Sequence, residues 1–149
     1  MKLKHFDEKT ITGLTIRTNN ELEMNPATGK IPGLYAQFDE TIMVNYQAGE
    51  KVFGIYHNYE SDHTGEFDVM AGFDGEVNST DARLKQIVIP GGEYLVFQQS
   101  GEMPQCVIQA WQQVWDYFAD AESEHRRAFS IDFEFYKSEN EVEVYIAIV

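Results

Sequence analysis

The sequence predicts an α+β domain built from two similar βαββ units, because the same order of elements occurs in both halves of the chain. In each half a β-rich segment is followed by a helical pattern and then by two further strands. The residues that precede the two helices also match, since Gly-Lys-Ile-Pro at 29–32 corresponds to Gly-Glu-Met-Pro at 101–104. We expect the units to pair about a pseudo-two-fold axis, with two main helices on one mixed or antiparallel sheet and a ligand cleft between the halves.

The second half of the chain has the clearer pattern. Residues 84–98 form two β-rich runs around a Pro-Gly-Gly sequence, which we interpret as one interrupted strand. Residues 129–135 and 142–148 alternate between polar and apolar side chains, which predicts two strands joined by a short turn at 138–141. Between residues 98 and 129, the helical spacing of apolar residues predicts an amphipathic helix of about five turns. Its apolar side consists of Val107, Ile108, Trp111, Val114, Trp115 and Phe118.

The first half follows the same order. Residues 10–17 are β-rich, and residues 52–60 and 67–73 are predicted to form a hairpin. The helix before this hairpin is indicated by Leu34, Tyr35, Phe38 and Ile42, which recur at helical spacing. We therefore predict a single domain over residues 1–149, with repeat one at about 1–73, a linker at about 74–81 and repeat two at about 82–149.

The chain is strongly acidic. Its 149 residues include 25 acidic and 11 basic side chains, which gives a formal net charge of −14. Such a surface repels the phosphate backbone of nucleic acids, so direct DNA or RNA binding is not expected. It attracts cationic ligands, although acidity also serves solubility alone.

Other features of the composition indicate the compartment. No apolar run approaches the ~18 residues of a membrane span, and the N-terminal residues do not resemble a signal peptide. Cys106 is the only cysteine, which is typical of a reducing compartment. We therefore expect a cytoplasmic protein that does not bind membranes.

Glu134 is the main candidate for a functional residue. Strand alternation places Asp132, Glu134 and Tyr136 on one face of the predicted sheet and the neighbouring apolar residues on the other. A solvated strand residue is the simplest interpretation of Glu134. If this face lines the cleft, however, the carboxylate lies among aromatic rings, and a bound lipophilic cation would offset the cost of its desolvation.

Several aromatic residues belong either to the core or to the cleft. Trp111 and Trp115 lie one turn apart on the apolar side of the helix, where core packing is the simpler explanation. The same two explanations remain open for Tyr46, Tyr56 and Tyr145. Aligning the two halves on their Tyr-X-Ser segments puts His57 at the position of Glu134, so His57 is also a ligand-binding candidate.

No cofactor or metal site is predicted. The four histidines are scattered and the one cysteine has no partner at a ligand spacing, which argues against zinc. The sequence also lacks a phosphate-binding glycine loop and a nucleophile elbow.

The second half of the chain resembles the GyrI-like effector-binding domain. The resemblance rests on residues 89–94, 111–115, 131–136 and 142–148, and residues 55–61 and 67–69 of the first half fit the same family. This domain is the small-molecule sensor of AraC-type and MerR-type multidrug regulators, and it also occurs alone on mobile gene cassettes.

The resemblance implies a duplicated βαββ fold with a cleft for drugs or metabolites. It implies that Glu134 faces bound cations and that Trp111, Trp115 and Tyr145 line the pocket. In one respect the sequence departs from the family, which often has tyrosine at the position of Trp115. Residues 1–9 are also too few for a DNA-binding domain, so we expect a stand-alone sensor.

We predict a domain that binds cationic, amphipathic small molecules. It would act on transcription through a DNA-binding partner protein, or it would sequester its ligand. One alternative, implied by the resemblance, is a hydrolase in which Glu134 acts as a base. That role needs an aromatic hydroxyl or a positioned water beside Glu134 and a raised carboxylate pKa, and Trp115 does not supply the hydroxyl. Another is an acidic inhibitor that binds a protein such as a topoisomerase by mimicking DNA.

Overall fold

The computed structural model describes residues 1–77 and 80–149, and in these residues eight strands form one antiparallel sheet. Part of the predicted linker, residues 78 and 79, lies outside the described residues. The helices are α1 (Asn20–Glu23), α2 (Ile31–Thr41) and α3 (Gln105–Ala119), and Tyr46–Ala48 forms a short 3-10 turn. The strands are β1 (Lys2–Phe6), β2 (Lys9–Thr18), β3 (Val52–His57), β4 (Phe67–Phe73), β5 (Lys85–Ile89), β6 (Gly92–Ser100), β7 (Arg127–Ser138) and β8 (Glu141–Ile148).

The strand order reflects the duplication. From one edge to the other it is β1-β6-β8-β7-β3-β4-β2-β5, so that equivalent strands of the two halves lie at equal distances from the centre. The central pair is β3 and β7, and every pairing is antiparallel. This confirms the predicted α+β class and the pseudo-two-fold arrangement.

The edge strands differ from the sequence-based expectation. Residues 84–98 contain two separate strands, β5 and β6, which belong to different parts of the sheet. Pro90 lacks a backbone N–H and Gly92 has a φ of +151°, so the ladder cannot continue through this segment. Strand β1 was not predicted, and it pairs with β6 of the second half, while β5 pairs with β2 of the first half. Each half therefore has the element order ββαββ, and its first strand pairs with the second strand of the other half.

The sheet curls around an aromatic core on one face. Phe6 of the edge strand β1 contacts Phe53 and Phe133 of the two central strands, at ring-centroid distances of 6.3 and 4.8 Å. Such contacts across the sheet require strong curvature, which follows from strand twist accumulated over eight strands. Phe53 and Phe133 are fully buried in this core.

The helices cover the other face, but not its centre. Leu34 and Phe38 of α2 are buried on β2 and β4, and Cys106, Ala110 and Val114 of α3 are buried on β6 and β8. The central strands β3 and β7 are left between the two helices as the floor of a cleft. No helix among residues 1–77 and 80–149 has the length and apolarity that crossing a membrane requires.

Candidate ligand-binding site

A cleft of about 520 Å³ lies between α2 and α3, over the central strands. We call it the Glu134 cleft. Its sides are mostly aromatic and aliphatic, as is usual for small-molecule sites. The side chains that line it include Ile31, Tyr35, Tyr56, Tyr59, Phe67, Val107, Ile108, Trp111, Trp115, Arg127, Glu134 and Tyr136.

Glu134 is held in this cleft by four hydrogen bonds. Its side chain is only 3% exposed. Trp111 Nε1 and Tyr56 Oη donate to Oε2 at 2.6 and 2.9 Å. Tyr136 Oη donates to Oε1 at 2.8 Å, and Tyr35 Oη donates to the same oxygen at 3.4 Å. The donors come from α2, α3, β3 and β7, so the carboxylate is the point at which both halves of the chain meet.

Burial and hydrogen bonding act on Glu134 in opposite directions. Burial raises the pKa of Glu134 above its ordinary value, while the four donors lower it by favouring the charged form. Burial and the nearby carboxylate raise the pKa values of Tyr35, Tyr56 and Tyr136 well above 10. The phenols therefore keep their protons and remain donors. Neutral donors stabilise the charged form of the carboxylate without cancelling its charge.

Gly54 provides the room for this arrangement. It lies in β3 directly across from Glu134 in β7. A Cβ atom at this position would lie 2.5 Å from Glu134 Oε1 and would also collide with Tyr35 Oη. A glycine is thus required where the backbone and the carboxylate approach each other.

A buried ion pair borders the cleft, which its Arg127 member lines. Arg127 Nη2 donates to Asp132 Oδ2 at 2.7 Å, and their side chains are 6% and 0% exposed. Tyr59 Oη donates to the same oxygen at 2.5 Å, and the guanidinium lies 4.3 Å from the centre of the Phe129 ring. The β7–β8 register shifts between Arg127 and Asp132, where Phe129 has a φ of +52°. This bulge re-aims the Arg127 side chain into the cleft.

Burial also affects the acid of this pair. It raises the pKa of Asp132, and Arg127 opposes that increase. Because the charges of Arg127 and Asp132 compensate each other, Glu134 is the one of these three residues whose charge has no partner.

The predicted site residues fall into three places. Glu134, Trp111, Trp115 and Tyr56 line the Glu134 cleft. Tyr145 does not line it, because it pairs with Phe133 and stacks on that ring in the core, on the opposite face of the sheet.

His57 and Tyr46 also lie outside the Glu134 cleft. His57 pairs with Ile131, so it shares the face opposite to Glu134, and the alignment that equated His57 with Glu134 is one residue out of phase with the pleat. Tyr46 lines a second cavity.

Some residues of the cleft were not predicted as ligand-binding residues. Tyr136 shares the face of Glu134 in simple alternation, so the sequence did contain a signal for it. Tyr35 and Tyr59 gave none beyond their aromatic character, and the bulge that turns Arg127 inward cannot be read from local sequence. Together these tyrosines supply phenolic hydroxyls that Trp115 lacks. No group of three or more His, Cys, Asp or Glu among the described residues is arranged to hold a metal.

Comparison with known families agrees with this architecture. Residues 2–148 match the model of the Cass2 family, described as integron-associated effector binding protein. The chain belongs to this family. The resemblance to GyrI-like effector-binding domains is thereby confirmed, and the protein is an effector-binding domain of the integron-associated group.

Individual relatives cover nearly the whole chain. The crystal structure of the integron cassette protein VCH_CASS2 from Vibrio cholerae is 40% identical, with a TM-score of 0.91 over 99% of this chain and 95% of that one. YobU of Bacillus subtilis (strain 168), a transcriptional regulator by name, is 28% identical over 98% of this chain and 96% of its own. The structure of SAV2435 bound to tetraphenylphosphonium shares the fold, at 20% identity, with a TM-score of 0.72 over 99% of this chain and 93% of that one.

Proposed function

We propose that the Glu134 cleft binds hydrophobic organic cations, with the carboxylate as counter-ion and the rings as an apolar cage. The observation that carries this proposal is a carboxylate that is 3% exposed yet faces an aromatic cleft without a cationic partner of its own among the described residues. The family's effector-binding role and the bound tetraphenylphosphonium of SAV2435 support it.

The expected contribution of the charge follows from Coulomb's law. A cation centred about 6 Å from the carboxylate, at an effective dielectric constant of about 20, gains roughly 3 kcal/mol. Contact with the faces of Trp111 and Trp115 adds about 1 kcal/mol for each favourable ring. Removing the charge should therefore weaken binding by about 100-fold.

Titration with tetraphenylphosphonium, followed by tryptophan fluorescence, tests the proposal directly. We expect saturable quenching in the native protein and about 100-fold weaker binding in Glu134→Gln. Glu93→Gln is the matched control, because it removes the same unit of charge from an exposed position that does not line the cleft. Equal affinity in the Glu134→Gln and native proteins would refute the role of the carboxylate.

We also propose that any effect on transcription is exerted through a separate DNA-binding protein. The support is the net charge of −14, which opposes direct contact with DNA. A mobility-shift assay should show no retardation of DNA by this chain alone, with or without tetraphenylphosphonium. Retardation by the purified chain would contradict this proposal while leaving cation binding intact.

Hydrolysis is a second candidate, and the hydroxyl groups beside Glu134 favour it. The carboxylate accepts hydrogen bonds from three phenolic hydroxyls, those of Tyr35, Tyr56 and Tyr136. They supply the aromatic hydroxyl that a base role needs and that Trp115 lacks. Incubation with activated aryl esters would test this function. Turnover that is lost in Glu134→Gln would support a base role, whereas no turnover would leave the cleft as a binding site alone.

A further inference from the structure

A second cavity, of about 760 Å³, adjoins the Glu134 cleft. We call it the Tyr46 cavity. Tyr35 and Tyr136 line both spaces and stand between them, with their rings 6.4 Å apart in an edge-to-face arrangement. Phe38, Val52 and Met103 form apolar parts of the second wall. Aromatic and aliphatic walls around a space of this size are typical of a site for a small organic molecule.

Tyr46 lines this cavity, and its side chain is 64% exposed. It begins the short turn Tyr46–Ala48, in which the Asn45 side chain accepts a hydrogen bond from Ala48 N at 3.2 Å. Gly49 ends the turn with a φ of +89°, and Asn45 N donates to Glu50 Oε1 at 2.7 Å. These hydrogen bonds fix the backbone of the turn, so that Tyr46 is held beside the cavity.

The charges around the Tyr46 cavity balance. Asp39 and Glu139 contribute two carboxylates to its lining, and Lys51 and Lys137 contribute two ammonium groups. Lys51 Nζ donates to the backbone oxygen of Lys137 at 3.1 Å, which keeps one of these cations at the wall. In contrast to the Glu134 cleft, this cavity has no uncompensated buried charge that selects for a cation.

We propose that the Tyr46 cavity is a separate site for uncharged aromatic molecules, which is occupied at the same time as the Glu134 cleft. Ring stacking on Tyr46, Tyr35 and Tyr136 supplies the affinity, and the balanced charges exclude a strong preference for ions. Simultaneous occupancy follows because the two shared tyrosines separate the spaces. Binding of an uncharged molecule in the Tyr46 cavity does not depend on cation binding in the Glu134 cleft, whereas simultaneous occupancy rests on that proposed function.

The uncharged fluorescent dye Nile red is a suitable probe. We expect saturable binding that changes little between low and high salt, because no net charge is involved, and that persists at saturating tetraphenylphosphonium. Displacement of the dye by that cation in a competitive manner would overturn the proposal, as would the absence of saturable dye binding.

Matched variants assign the dye to one space or the other. Tyr46→Ala removes an exposed ring and should preserve the fold, while weakening dye binding about three- to tenfold. Met103→Trp fills the Tyr46 cavity and should abolish dye binding, whereas Ile108→Trp narrows the Glu134 cleft and should not. Unchanged dye affinity in both Tyr46→Ala and Met103→Trp would refute the assignment, whatever the outcome for cations.

Discussion

Replacing Gly54 with alanine tests whether the carboxylate of Glu134 depends on the space beneath it. The added methyl group would lie 2.5 Å from Glu134 Oε1, whereas ordinary van der Waals contact begins at 3.4 Å. Because Gly54 is paired on both sides, with Ala71 and Glu134, the backbone cannot retreat easily. The carboxylate must therefore move by about 0.9 Å.

The cost of this movement can be estimated from the bonds it breaks. The hydrogen bond from Tyr35, already 3.4 Å long, would be lost, and the one from Tyr136 would be stretched from 2.8 Å. A hydrogen bond to a charged group contributes about 1.5–3 kcal/mol, and overpacking adds about 1–3 kcal/mol. We expect Gly54→Ala to lower the free energy of unfolding by about 3 kcal/mol, and to weaken the binding of tetraphenylphosphonium as well.

Urea unfolding and the fluorescence titration measure the two effects. Gly33→Ala is the control, because a Cβ atom there meets nothing within 4 Å and alanine favours the helix by up to about 1 kcal/mol. The double variant Gly54→Ala/Tyr35→Phe removes one of the colliding atoms and should recover about 1 kcal/mol. Native stability and native affinity in Gly54→Ala would show that the carboxylate does not need this position.

Three further predictions concern the charged groups of the cleft. The affinity for cations should fall on acidification, because burial raises the pKa of Glu134 and its charge is lost as the pH falls through that raised value. If the midpoint of the binding-pH profile lay below the ordinary glutamate pKa of about 4.3, this prediction would be wrong. Trp111→Phe removes the indole N–H that donates to Glu134 Oε2 at 2.6 Å and lowers the pKa of Glu134, so the midpoint of the binding-pH profile should move to higher pH. An unchanged profile would argue against this role of Trp111. Arg127→Met leaves Asp132 buried without its cation, so the free energy of unfolding measured in urea should fall by about 3–5 kcal/mol at neutral pH. The loss should be smaller at low pH, because a protonated Asp132 carries no charge. An equal loss at both pH values would argue against the electrostatic explanation.

The sequence was sufficient for the fold class because periodicity reports burial. The helix predicted from the apolar spacing at 107–118 is α3, and the strand predicted at 67–73 is β4 with the same bounds. The pairing of β1 with β6 and of β5 with β2 was not predictable, because short edge strands have little periodicity and their partners lie in the other half of the chain. Turn residues at 90–92 indicated an interruption but not that the chain changes its place in the sheet.

For the candidate site, local pattern made Glu134 a candidate but did not predict most of the side chains that surround it. From pattern alone, a solvated strand residue was the simplest interpretation of Glu134 and core packing that of Trp111. Their assignment to a ligand site came from the family resemblance. The three phenols on the carboxylate come from three elements, and only tertiary structure brings them together. Tyr145 shows the limit of transferring a role by resemblance, because strand parity puts its ring on the opposite face from Glu134.

The exchange of first strands has a mechanical consequence for ligand binding. Strand β1 completes the sheet of the second half and β5 completes that of the first half. We therefore expect this exchange to oppose a hinge motion that would separate the two halves. If the Glu134 cleft binds ligands as proposed, we expect a ligand of unusual shape to be accommodated by rotation of side chains such as Trp115 and Ile108, while the strands beneath stay in place. Discrimination among ligands would accordingly reside in a few rotamers above a rigid floor.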